Sequence, residues 1–127
     1  MLVLASACSS SMGRGPTLPA VVVTPESSGR TIELSQHQAL LVRLPTNSVN
    51  GYRWLLAAAP STVLKLEGLP AFERDPVGPG VVGTPGVEIW RFTTEHKGQQ
   101  ILLFDYRLPW ATEAPPLRQL SFTVTVR

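Results

Sequence analysis

Apolar and polar positions alternate with a period of two through much of this chain, most plainly at its end. Leu120, Phe122, Val124 and Val126 fall on one side and Ser121, Thr123, Thr125 and Arg127 on the other, the pattern of a strand with one buried face. The segment "QQILLFDYR" (99–107) alternates through Leu102, Phe104 and Tyr106, and "VEIWRFTT" (87–94) sets Trp90 and Phe92 opposite Ile89 and Arg91. Shorter apolar segments read as strands at 31–35, 38–44, 52–58 and 62–67. Between them lie the turn "EHKG" and the connection "DPVGPGVVGTPG" (75–86), whose prolines and glycines forbid a helix. Only "STVLKLEGL" leaves room for a helical turn. Short strands at roughly ten-residue spacing, punctuated by Gly, Pro and Asn, predict an all-β fold, an immunoglobulin-like antiparallel β-sandwich.

Length and composition fit one such domain. The chain has 127 residues, of which 43% are hydrophobic and 16% charged, enough to bury a core. The texture changes near Arg30. Residues 1–29 read as a truncated lipoprotein-type signal followed by a flexible Ser/Pro/Gly-rich tether, and residues 30–127 as the folded domain. Within the tether, "AVVV" is compatible with an edge strand, since its flanking prolines exclude a central one.

The single cysteine, Cys8, precludes an internal disulfide. It closes "LVLASAC" and is followed by "SSSMG", which resembles the lipobox of bacterial lipoproteins, where the cysteine is diacylated. Leu4 stands one place earlier than that family prefers, and the preceding apolar run is short for a signal peptide. The resemblance implies a bacterial cell-envelope protein, periplasmic or an outer-membrane lipoprotein. The alternative is a frayed tail with a free thiol on a secreted protein. No segment reaches the roughly 20 apolar residues of a membrane span, so membrane contact is expected only through Cys8.

Charge and motif spacing exclude most chemistry. The net charge of +2 comes from scattered basic residues with no stripe or cluster, which argues against nucleic-acid binding. His37 and His96, the only histidines, read as surface residues with no triad spacing. No cluster of His, Cys and carboxylates suggests a metal, Glu67, Glu73 and Glu88 lie in separate segments, and "GPGVVGTPG" lacks the Lys-Ser/Thr ending of a phosphate-binding loop. The chain is therefore read as a monomeric binding protein rather than an enzyme, without cofactor or metal.

Three loops stand out. The first holds Asn47, Ser48, Val49, Asn50, Gly51, Tyr52, Arg53 and Trp54; the second holds Gly83, Thr84, Pro85 and Gly86 ahead of Trp90 and Phe92; the third holds Tyr106, Arg107, Leu108, Pro109 and Trp110. Their order and content resemble the chagasin-type inhibitors of papain-like cysteine proteases. That family carries Asn-Pro-Thr-Thr-Gly-Tyr/Phe-x-Trp, then Gly-x-Gly/Pro-Gly leading into Trp-x-Phe, then Arg-Pro-Trp. The resemblance implies a reversible, non-covalent inhibitor whose three loops cluster at one end of the sandwich and wedge into the protease cleft. It assigns protease contact to Asn47, Ser48, Val49, Asn50, Gly51, Tyr52, Gly83, Thr84, Pro85, Gly86, Leu108, Pro109 and Trp110, with Trp54, Trp90, Phe92 and Tyr106 as structural support.

The departures fall on the loop tips. Ser48, Val49 and Asn50 replace Pro-Thr-Thr, and Leu108 stands in place of arginine, with Arg107 expected to point to the other side. Trp110 reads either as a rim anchor or as packing against the sandwich end. The other functional reading is an immunoglobulin-like envelope module that uses the same loops on a different protein or a glycan.

Overall fold

The computed structural model describes residues 18–47, 51–57, 62–76, 78–80 and 83–127. Cys8 therefore lies outside the described residues, as do Ser48, Val49 and Asn50. Nine strands are present among the described residues: β1 Val21–Val23, β2 Thr31–Leu34, β3 Ala39–Asn47, β4 Arg53–Leu56, β5 Leu64–Leu66, β6 Ala71–Arg74, β7 Pro85–Thr94, β8 Gly98–Arg107 and β9 Arg118–Val126. They form two sheets. One runs β1-β3-β7-β5 with β6 also paired to β7, and the other runs β2-β9-β8-β4. The expected two-sheet, all-β architecture is present. Its pairings are antiparallel except at two edges, where β1 joins β3 and β2 joins β9 in parallel.

The alternation read from the sequence is the alternation of burial. On β9, Leu120, Phe122, Val124 and Val126 face the interior, and on β8 Leu102 and Phe104 meet them. From the opposite sheet come Leu40, Val42 and Leu44 of β3 with Trp90 and Phe92 of β7. Phe104 stands at the centre, with edge-to-face contacts to Trp90 at 5.2 Å, Phe122 at 6.2 Å and Phe92 at 6.4 Å between ring centroids. Such geometry suits the ring quadrupoles and adds to the burial itself.

Three local expectations need correction. The folded unit reaches back before residue 30, because Val23 of β1 is 3% exposed and belongs to the core. The buried side chain of Gln38 donates to the Pro19 carbonyl at 2.8 Å and ties this first segment down. The strand expected at 62–67 is present as β5, the helical turn that "STVLKLEGL" left room for is not, and the single short 3₁₀ turn among the described residues lies at Pro25–Ser27. Finally, β6 arises inside a stretch without alternation, and all four of its residues are exposed.

Candidate functional site

Strand direction fixes where the loops lie. Strand β3 ends at Asn47, which pairs with Pro85, the first residue of β7. Strand β4 begins at Arg53, which pairs with Arg107, the last residue of β8. The connections β3–β4, β6–β7 and β8–β9 therefore leave from the same pole of the sandwich. The first of them crosses from one sheet to the other.

At the first loop, Gly51 has φ +79°, a left-handed conformation that glycine adopts without cost. A Cβ on Gly51 would sit 3.3 Å from Cη2 of Trp110 and 3.5 Å from Cδ2 of Leu108. The first and third loops thus touch, and a bare glycine backbone is what the indole packs on. Leu108, half-buried, fills the seam between the two loops. The Trp110 side of the question raised by the sequence is resolved here: the residue is 73% exposed, at the tip rather than in the core.

The aromatics behind the tip do root it. Trp54 is 3% exposed and donates its indole N–H to the Pro45 carbonyl at 2.9 Å, binding the two legs of the first loop together. Tyr106 lies 4.8 Å from Trp54 and 5.4 Å from Tyr52, ring centre to ring centre. The Arg118 guanidinium stands 5.6 Å from the Trp54 ring centre, a cation–π contact from the outgoing leg of the third loop.

The second loop is placed by β7. Gly83 has φ +82°, and Thr84 lines the same cavity as Gly51 and Tyr52. The Asp75 amide donates to the Pro85 carbonyl at 2.9 Å and closes the base of the loop. Gly86 has a different role from the tip contact expected of it. It is buried within β7, where any Cβ would collide with the Phe72 ring and the Glu73 carbonyl. Its missing side chain lets β6 approach β7. Trp90 and Phe92 are both buried in the core behind the loop.

Two charged residues named in the sequence take on roles that their spacing did not assign, and Glu88 is not the separate, unpaired carboxylate it was read as. Glu88, half-buried beneath the loops, accepts the Trp90 indole N–H at 2.9 Å. Burial pushes its carboxyl above the usual glutamate range, against the lowering effects of the Trp90 hydrogen bond and the Arg53 charge. Arg107 donates to the carbonyls of Ala111 and Thr112 at 3.2 Å each, partners within its own loop. No short motif marks either residue, although their hydrogen-bond partners lie only two to five residues away in the chain.

A cavity of about 820 Å³ opens beside the loops, lined among others by Tyr52, Phe72, Thr84, Glu88 and Trp90. Among the described residues, no three His, Cys, Asp or Glu side chains gather as a metal site, and His37 and His96 are both exposed and far apart in the chain. The arrangement offers shape and apolar contact at one pole.

The model of the chagasin family peptidase inhibitor I42 matches residues 33–126. The chain belongs to the chagasin family of peptidase inhibitors. The match runs from within β2 to the end of β9, so all three loops lie inside it and β1 lies outside. The fold is therefore that of an inhibitor family, not of an enzyme. Amoebiasin-2 of Entamoeba histolytica is 24% identical over 106 residues, covering 84% of this chain and 85% of that protein. The crystal structure of the cysteine protease inhibitor EhICP2 from Entamoeba histolytica matches with a TM-score of 0.75 at 22% identity, over 89% of this chain and 100% of that one. PbICP-C, solved in complex with falcipain-2, matches with a TM-score of 0.51 at 16% identity, over 87% of this chain and 92% of that one. At these identities the structural likenesses are likenesses of fold, and the chagasin sandwich is the shared feature.

Proposed function

We propose that this protein is a reversible, non-covalent inhibitor of papain-like cysteine proteases that inserts its three-loop pole into the active-site cleft. The observation that carries this reading is the contact between Gly51 and Trp110. It joins the first and third loops, while the Asn47–Pro85 pairing joins the first and second. A single convergent surface results, in a chain of the chagasin family.

The mechanism is occlusion. The first loop stands over the catalytic cysteine and histidine, and the other two grip the flanks of the cleft. Gly51 and the residues before it occupy the place of a substrate carbonyl without presenting a bond in cleavable geometry. The exposed indole of Trp110 supplies the apolar anchor, the residue type that dominates interface energies. Pro109 and the packed aromatics behind the loops order the surface in advance, which lowers the entropic cost of binding. PbICP-C bound to falcipain-2 supports a protease as the partner class.

Titrating papain with the purified protein tests the reading. One-to-one inhibition that reverses on dilution is expected, with trypsin unaffected. Full papain activity at micromolar protein would overturn it.

For location, the proposal is attachment to a bacterial envelope through diacylated Cys8, supported by the small-residue run "LVLASAC" ahead of a polar tether. Intact mass of the envelope-extracted protein decides it: a diacylated cysteine at the mature N-terminus is expected, and an unmodified Cys8 within a longer chain contradicts it.

A further inference from the structure

Arg107 sits at the end of β8 with its side chain only 17% exposed, and it meets three polar partners. Its Nη1 donates to the carbonyls of Ala111 and Thr112, both at 3.2 Å. Its Nη2 lies 3.5 Å from Oδ2 of Asp105, whose side chain is 13% exposed. The other oxygen of Asp105 accepts from Nε2 of Gln119 at 2.8 Å. A chain of polar contacts therefore runs from β9 through β8 to the two peptide groups that follow Trp110. The turn itself is held by the Ala111 amide on the Leu108 carbonyl at 3.0 Å and the Ala114 amide on the Ala111 carbonyl at 3.2 Å. The Leu117 amide closes the base of the loop on the Tyr106 carbonyl at 2.8 Å.

The energetic setting favours a purpose for this chain of contacts. Trp110 is 73% exposed, so burial in its own core does not hold it. Arg107 also faces Arg53 directly across the β4–β8 pairing, an unfavourable neighbour for a residue with only a generic surface role. The guanidinium is a rigid planar fork whose two nitrogens meet the carbonyls and the carboxylate from fixed positions, whereas an ammonium is a compact point charge on a flexible stem.

We infer that Arg107 is a positioning residue: oriented by Asp105, it fixes the Ala111 and Thr112 carbonyls and thereby holds the Trp110 indole against Gly51, ready to bind. This rests on the inhibitor reading above and adds the device that preorganises its anchor. It also accounts for the basic residue of the third loop, which is turned inward to brace the tip and leaves Leu108 to seal the seam.

Two readouts separate the brace from the inhibitor reading. In the free protein, ¹⁵N relaxation of the Trp110 indole and the Ala111 and Thr112 amides is compared between wild type and Arg107→Gln. Wild type should be rigid, with order parameters of about 0.85, and the variant should fall toward about 0.6 in this loop alone. Against papain, Arg107→Gln should bind about tenfold more weakly, through loss of preorganisation. Arg107→Lys, which keeps the charge without the fork, should fall between. In a Trp110→Ala background the same Arg107→Gln change should cost less than about twofold, because the residue acts through Trp110.

Unchanged order parameters, an Arg107→Lys variant equal to wild type, or a full penalty persisting without Trp110 would each overturn the inference. If Arg107→Gln does not fold, Asp105→Asn removes the carboxylate that orients the fork and takes the same measurements. Were wild type not to inhibit papain, the inhibitor reading would fall while the relaxation data still decided the brace.

Discussion

The indole of Trp110 rests on Gly51, so close that a Cβ there would lie 3.3 Å from its outer ring carbon. Fifty-nine residues apart in sequence, the two meet because β4 and β8 pair from Arg53 with Arg107. The contact makes two loops into one surface, and the first three predictions probe that surface.

Truncating the anchor should separate binding from stability. Trp110→Ala is expected to weaken papain inhibition by about 2 kcal/mol or more, roughly thirtyfold. Its melting temperature should stay close to wild type, since the residue buries little in the free protein. An inhibition titration and a thermal melt on the same sample check both halves.

Gly51→Ala should harm both. The left-handed φ costs an L-residue about 1–2 kcal/mol, and the new methyl presses on Trp110. A fall in Tm of several degrees is expected, together with weaker inhibition. Inhibition intact at an unchanged Tm would contradict the packing described here.

Trp54→Phe keeps the buried ring but removes the indole donor to Pro45 and weakens the Arg118 contact. Stability should drop by about 1–3 kcal/mol, measured by denaturant unfolding. Inhibition should fall because the legs of the first loop lose their tie.

Glu88 gives a pH dependence. Its folded-state carboxyl titrates above the unfolded one, so the protonated form is favoured by folding. Stability from this group is therefore full at acid pH, below the unfolded pKa, and is lost as pH rises through the folded value. Glu88→Gln, which keeps an acceptor for Trp90, should raise Tm at pH 7, and the gain should shrink toward about pH 4. A gain that grows on acidification would contradict the assigned burial cost.

Much of this molecule was readable from its sequence because burial enforced a period of two. Strands β7, β8 and β9 each bury one face against the other sheet, so Trp90, Phe92, Leu102, Phe104, Phe122 and Val124 had to alternate. Strand β6 left no such trace. Its four residues are exposed, and it is held by pairing with β7, where the bare Gly86 admits Phe72 and the Glu73 carbonyl. Strand β1 is the edge strand that "AVVV" allowed, but its parallel seat on β3 and its place in the core left no local trace. At the site, the order of the three loops was legible, and so were the aromatics Trp54 and Tyr106 that root them. The packing role of Gly86, the half-buried setting of Glu88 and the bracing role inferred for Arg107 were not. Gly86 depends on Phe72 and Glu73, delivered from β6, whereas Glu88 and Arg107 meet partners two to five residues away in contacts that no motif marks.

The central claim is that three loops at one pole form the whole contact with the protease, and hydrogen exchange of the protein alone and saturated with papain tests it most directly. Slowed exchange is predicted together around Asn47–Tyr52, Gly83–Pro85 and Leu108–Ala111, with the opposite pole at His96–Gly98 unchanged. Protection confined to one loop, or appearing at His96–Gly98 instead, would contradict the account.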